Sequence, residues 1–186
     1  LKIKSIGLNP RRIGFYKILK KSGAKIYVKN KKKINGETIG DLIVKSSKLR
    51  PIFSSTKDFS SMVDEFPILF VIAALTPGIS VFKGLEDLKN KESDRVNEMK
   101  KIIKKLSIPF EYKKGTVKIR GTKKKDYKSK TLKVPNLKDH RICMSASVLA
   151  LTTGVQTDIK NFETVFTSSP SFLKIIKQLG GKFETK

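Results

Sequence analysis

Cysteine is nearly missing from this chain of 186 residues: Cys143 stands alone. It cannot form an internal disulfide, and there is no second cysteine with which to build a metal site. A reducing compartment, the cytoplasm, fits that usage best. Histidine is as scarce, with His140 the single copy. Long apolar runs are also lacking. The longest, Phe66 to Leu75, falls well short of the roughly 20 residues a membrane-spanning helix needs and reads as a buried helix. No stretch rich in Gly, Ser or Pro divides the sequence, which predicts one domain over residues 1–186. No initiator methionine, charged leader or signal peptide is seen ahead of the strand-like segment that begins at Leu1; the expectation from this start is a fragment.

Acidic residues are few, 16 Asp+Glu against 41 Lys+Arg, for a formal charge of +25. Such an excess raises nucleic acid as a partner. The lysines, however, are spread along the whole chain, and the densest runs, Lys29 to Lys33 and Lys123 to Lys130, are expected in turns or loops. The phenylalanines lie mainly in apolar segments and are not interleaved with a basic stripe. A solvated basic surface is therefore the expectation, with no nucleic acid as a partner. Phosphorylated small substrates would also be attracted by this field. A hydrophobic fraction of 38% suffices for a packed core and argues against disorder.

What is present is a grammar used three times: strand, polar loop, amphipathic helix, strand. The first copy runs from Lys2 to Val28, passing through Asn9-Pro10 into a helix over residues 11–24. The second runs from Ile79 to Arg120, with a helix from Arg95 to Ser107 and strands on either side of Gly115. The third runs from Val155 to Phe183, with a loop over residues 162–169, a helix from Pro170 capped by Ser169, and a last strand at residues 182–184. In the second helix Val96, Met99, Ile102, Ile103 and Leu106 recur at three- and four-residue spacing, the mark of a one-sided helix. Two other helices, from Phe66 and from Ile142, are apolar nearly all round and must be buried. Acidic residues precede both, Asp64-Glu65 and Asp139. Similar turns follow both, Thr76-Pro77-Gly78 and Thr152-Thr153-Gly154. The pattern predicts an α/β fold of repeated units in which short-stranded sheets wrap packed helices.

Chemistry-bearing residues gather at helix starts. Lys91-Glu92-Ser93-Asp94-Arg95 leads into the second amphipathic helix, where free N–H groups and partial positive charge favour anions. Arg95 could fork onto a carboxylate or phosphate, and Glu92 could shuttle a proton if burial raises its pKa against its cationic neighbours. The plainer alternative is a helix capped by Ser93 or Asp94 with surface ion pairs beyond. Asp139-His140-Arg141 holds the one histidine at the mouth of a buried helix. Arg141 could bind an anion and His140 donate a proton, or Asp139 could be an ordinary cap. Asp64 holds the equivalent place ahead of the other buried helix, again with capping as the alternative. If all three starts face one edge, carboxylates and arginines converge there. Cys143 and Met144 read as core.

Asn9-Pro10 with Ser22-Gly23-Ala24, Asp41 to Val44, Met62 to Pro67, Lys91 to Arg95, Asp139 to Arg141 and Thr167 to Pro170 follow one another along nearly the whole chain. In that order they resemble the 5-enolpyruvylshikimate-3-phosphate synthase (3-phosphoshikimate 1-carboxyvinyltransferase) family, and specifically its C-terminal domain. The resemblance implies three βαβαββ units with helices inside and sheets outside, an inside-out α/β barrel domain. It implies a missing N-terminal domain, so that the chain carries part of an interdomain active site. The reaction implied is transfer of the enolpyruvyl group of phosphoenolpyruvate to the 5-hydroxyl of shikimate 3-phosphate with release of phosphate, without metal or organic cofactor. It implies Asp64 as the base on the attacking hydroxyl and Glu92 as the group handling the methylene proton. Lys91 would contact the shikimate side or the phosphates, Arg95 and Arg141 would clamp phosphoenolpyruvate, and His140 would support them. One position departs: Thr167 stands where some family members place a lysine, and Ser169 replaces an aromatic residue. The alternatives are a basic nucleic-acid-binding domain and an enolpyruvyl transferase with another acceptor.

Overall fold

The computed structural model describes residues 1–122 and 131–184. The lysine run from Lys123 to Lys130 lies outside the described residues.

The first unit opens with strand β1 (Lys2–Gly7), continues into helix α1 (Gly14–Lys21) and closes with the hairpin β2 (Lys25–Ile34) and β3 (Glu37–Lys45). These strands form an antiparallel sheet in the order β1-β3-β2, turning at Asn35-Gly36, both with positive φ. The pairing slips between Ile3 and Ile6 and again between Lys29 and Lys32. Asp41 of the central strand pins both bulges: its carboxylate accepts from the Ser5 N–H at 3.1 Å and from the Asn30 side chain at 2.9 Å. Lys29 to Lys33 thus lie within β2 and not in a turn, against the expectation. The reason is local: this part of β2 is an edge strand exposed along its length, where lysines keep their heads in water and discourage pairing with another sheet.

The second unit comprises β4 (Phe53–Ser54), α2 (Phe66–Ala74), β5 (Gly78–Phe82), α3 (Arg95–Lys105), β6 (Phe110–Lys113) and β7 (Thr116–Gly121). Its sheet runs β4-β5-β7-β6, with β4 parallel to β5 and the other pairs antiparallel. It is a full βαβαββ set. The third unit has β8 (Thr131–Val134), α4 (His140–Thr153), β9 (Gln156–Ile159), a short α5 (Thr164–Ser168) and α6 (Phe172–Gln178), with β8 and β9 paired in parallel.

Four expectations are corrected in these units. Helix α1 starts at Gly14 and not at residue 11, because Asn9 closes a turn by accepting from the Arg11 and Arg12 N–H groups. Residues 162–169 are not all loop, since Val165 is buried and anchors α5. Ser169 ends that helix, and α6 begins at Phe172 without a side-chain cap. Residues 182–184 form no strand and are exposed.

Helix α2 lies in the middle. It touches α3, α4 and β7, and Phe66, Leu69, Phe70, Ala73 and Ala74 are fully enclosed. Phe70 meets Phe82 and Phe110 edge-on at 5.2 and 5.4 Å between ring centres, tying the helix to its sheet. At its end Thr76 donates its hydroxyl to the Ile72 carbonyl, and Thr153 does the same to Leu149 at the end of α4. The two buried helices therefore stop by one device, followed by Gly78 and Gly154 at positive φ. Helix α4 is less enclosed than its composition predicts, with Leu151 and Thr152 exposed. The architecture is an α/β fold with helices inside and short sheets outside.

Candidate functional site at the mouths of the buried helices

Three helix starts meet at one place. Asp64 sits in a single 3-10 turn, Val63–Glu65, immediately ahead of α2. It makes no capping bond to that helix. Pro67 and the 3-10 turn serve the start of α2 instead, which leaves the carboxylate free to face outward.

Arg95, the first residue of α3, joins the three. It is only 1% exposed, yet three carboxylates surround it. Its Nε donates to Asp139 Oδ2 at 3.0 Å, its Nη1 to Asp64 Oδ1 at 3.4 Å and its Nη2 to Glu92 Oε2. A buried guanidinium needs this many acceptors, since desolvating it costs several kcal/mol that only close countercharges offset. The capping role falls to Asp94, whose side chain accepts from the Asn97 N–H. Capping and ion pairing therefore coexist here, and the ion pairs converge on a buried guanidinium, with Glu92 reaching it from a half-exposed position.

Asp139, fully buried, divides its two oxygens. Oδ1 caps α4 by accepting from the Arg141 N–H at 3.0 Å, while Oδ2 accepts from Arg95 Nε and from Ser93 Oγ at 2.9 Å. Asp139 is thus the cap of α4 and, through its other oxygen, an anchor for Arg95. Arg141, in the first turn of α4, brings Nη2 to Asp64 Oδ2 at 3.1 Å and Nη1 to the Asp64 carbonyl at 3.4 Å. Its Nε is buried without a hydrogen-bond partner among the described residues. The structure thus gathers Asp64, Glu92, Arg95 and Arg141 into one network closed by Asp139. Glu92 is half exposed at its side chain.

Lys91 and His140 stand apart from that network. Lys91 is exposed, with no ion pair among the described residues. His140 begins α4, and its Nε2 is buried without a hydrogen-bond partner among the described residues. Three residues escaped sequence reasoning. Ser93 steadies Asp139. Arg12 reaches Asp64 Oδ2 from the turn ahead of α1 at 3.4 Å; the available signal was its place at the start of an amphipathic helix, the position Arg95 holds in the next unit. Glu65 is the third: burial, with the neighbouring Asp64 charge behind it, pushes its carboxyl above the ordinary range, while Arg12 and Arg141 pull the other way.

The arrangement has a chemical meaning. Each arginine is balanced by carboxylates, and of the three on Arg95 Glu92 is the most exposed. Among the described residues no cluster of His, Cys, Asp and Glu is disposed to hold a metal ion, and no helix is long and apolar enough to cross a membrane.

Comparison with known proteins places the chain. Residues 1–176 match the family model described as EPSP synthase (3-phosphoshikimate 1-carboxyvinyltransferase). The 3-phosphoshikimate 1-carboxyvinyltransferase of Zymomonas mobilis is 38% identical over 184 residues, covering 98% of this chain and 41% of the relative. That of Carboxydothermus hydrogenoformans is 40% identical over 184 residues, covering 95% and 40%. The chain thus spans about two fifths of the length of the curated relatives it matches. An EPSP synthase from Acinetobacter baumannii superposes with a TM-score of 0.84 at 31% identity, over 100% of this chain and 42% of that one. The enolpyruvyl transferase NikO from Streptomyces tendae, at 13% identity, shares the fold with a TM-score of 0.64, over 98% and 39%. With its family model matched over nearly its whole length, the chain belongs to the EPSP synthase family.

Proposed function

We propose that this chain is the C-terminal domain of a two-domain enolpyruvyl transferase, and that its network at the helix mouths is one wall of an interdomain active site. The substrates are shikimate 3-phosphate and phosphoenolpyruvate, and the partner is an N-terminal domain that supplies the other wall. The observation that carries this reading is the convergence of Asp64, Glu92, Arg95 and Arg141 on one edge in a chain of this family. A single buried cysteine supports a reducing, cytoplasmic setting.

The reaction proceeds by addition and then elimination. Asp64 orients the shikimate hydroxyls and takes the proton of the 5-hydroxyl as its oxygen attacks C2 of phosphoenolpyruvate. Glu92 delivers a proton to the methylene carbon, giving a tetrahedral intermediate. Removal of a proton from that carbon and cleavage of the C2–O bond then release phosphate and leave the enol ether. Glu92, half exposed and paired with Arg95 among the described residues, makes both transfers from the substrate side, without the burial that the sequence reading required. Arg95 and Arg141 bind the carboxylate and phosphate of phosphoenolpyruvate, with Lys91 on the shikimate side or the phosphates and His140 behind them. Cations fixed before the substrate arrives stabilise developing charge without reorganisation, which is where such clamps gain their effect.

The test is turnover of the complete enzyme carrying Asp64→Ala or Glu92→Ala. Each is expected to lower kcat by more than about tenfold, the low end for a proton-transfer group. A change of less than about twofold would return that residue to a structural role.

A further inference from the structure

The Asn9-Pro10 turn has no part in the chemistry above, yet it ends at the active-site edge. We propose that Arg12 is a positioning residue, holding the Asp64 carboxylate in the orientation from which it accepts the hydroxyl proton. The inference rests on the reading of Asp64 as the base.

Two features fix Arg12 where it is. The turn is closed at both levels, the Asn9 side chain accepting from the Arg11 N–H at 3.0 Å and its carbonyl from the Arg12 N–H at 2.9 Å, with Pro10 restricting φ between them. Helix α1 is then pressed against the segment that carries Asp64. A Cβ at Gly14 would collide with Ser61, three residues ahead of Asp64, so nothing larger than glycine permits this approach. The first unit is in this way clamped to the start of α2. Its exposed arginine, 56% accessible at the side chain, is held 3.4 Å from Asp64 Oδ2.

The groups facing Asp64 have different duties. Arg95, from α3, is shared with Asp139 and Glu92, and Arg141, from α4, divides its contacts between the Asp64 side chain and carbonyl. Both turn toward the anionic substrate in the proposed reaction. Arg12 has Asp64 as its one ion-pair partner among the described residues and comes from the turn ahead of α1. It is the cation that stays with Asp64 when the other two engage substrate. Glu65, the nearest further carboxylate, also lies within the field of Arg12.

The experiment is steady-state kinetics of the complete enzyme with both substrates, for Arg12→Ala, Arg12→Lys and Asp64→Asn, each with a thermal melt. The expected result for Arg12→Ala is a kcat lowered about three- to tenfold, in line with a largely solvent-exposed ion pair, an unchanged KM for phosphoenolpyruvate and an unchanged melting temperature. Arg12→Lys, which keeps a point charge in place, recovers most of the loss. An unchanged kcat in Arg12→Ala overturns the proposal, as does a loss confined to KM for phosphoenolpyruvate or one that lysine does not restore. Should the alanine variant fail to fold, Arg12→Gln is judged by the same criteria. Asp64→Asn separates the two levels: its inactivity alongside a normal Arg12→Ala overturns only the role of Arg12, whereas normal turnover in Asp64→Asn overturns the base assignment and this proposal together.

Discussion

At the residue scale, the balance between burial and countercharge decides which groups react. Cys143 lies in α4 with no exposed surface; burial, and next the Asp139 charge, raise its thiol to about 11. The thiolate is the reactive form, so the folded protein is expected to resist a thiol reagent near neutral pH and the unfolded protein to react fully. Rapid labelling of the native chain would contradict this. Glu65 gives a pH dependence of known sign. Its carboxyl, raised above the ordinary 4.5 by burial and then by Asp64, contributes stability that is fully present below 4.5 and lost as pH rises through the folded value. Glu65→Gln is therefore expected to raise the melting temperature relative to the parent at about pH 7 and to lose that advantage at about pH 4. An advantage that is equal at both, or larger in acid, would show that Glu65 is not strained by its surroundings.

At the scale of elements, the apolar helix from Phe66, the one-sided helix from Arg95 and the matched threonine turns were all legible in the sequence, because each depends on periodicity or on a local bond. The elements that were misjudged depend on distant partners. Lys29 to Lys33 read as a turn by composition, but β3 supplies a ladder for them, and a backbone partner outweighs the polarity of an edge strand. Residues 182–184 have strand-forming character without a neighbour among the described residues to pair with. Arg12 was missed for a similar reason: its partner Asp64 is 52 residues away, and only the packing of α1 brings them together. By contrast, the clusters at 91–95 and 139–141 were legible as candidates, since chemically loaded residues at helix starts are a local signal. Close packing between elements gives a direct test. A Cβ at Gly121, at the end of β7, would strike the carbonyl oxygens of Ala73 and Thr76 at the end of α2. Backbone cannot swing aside as a long side chain does, so Gly121→Ala is expected to destabilise the fold by about 1–3 kcal/mol, the usual range for overpacking. A denaturation midpoint equal to the parent's would mean that β7 and α2 are not held this tightly.

At the scale of the whole molecule, one buried arginine joins the three helix starts through carboxylates from each. This arrangement holds five ionisable side chains, Asp64, Glu92, Arg95, Asp139 and Arg141, at a single edge. The repeat places Asp64 and Asp139 at the starts of equivalent buried helices, and Arg95 joins them from the start of the amphipathic α3. The chemistry is not symmetric: Asp64, Glu92 and Asp139 differ in exposure and in the number of donors they face. The proposed substrates rest on the family, whose relatives are more than twice as long. The central claim is that this edge is half of an active site. The most direct measurement is phosphate release from phosphoenolpyruvate in the presence of shikimate 3-phosphate, by this chain alone and by a complete protein in which it is joined to its N-terminal partner. The account predicts no release by the chain alone and release, dependent on shikimate 3-phosphate, by the complete protein. Release by the isolated chain, or none by the complete protein, would contradict it.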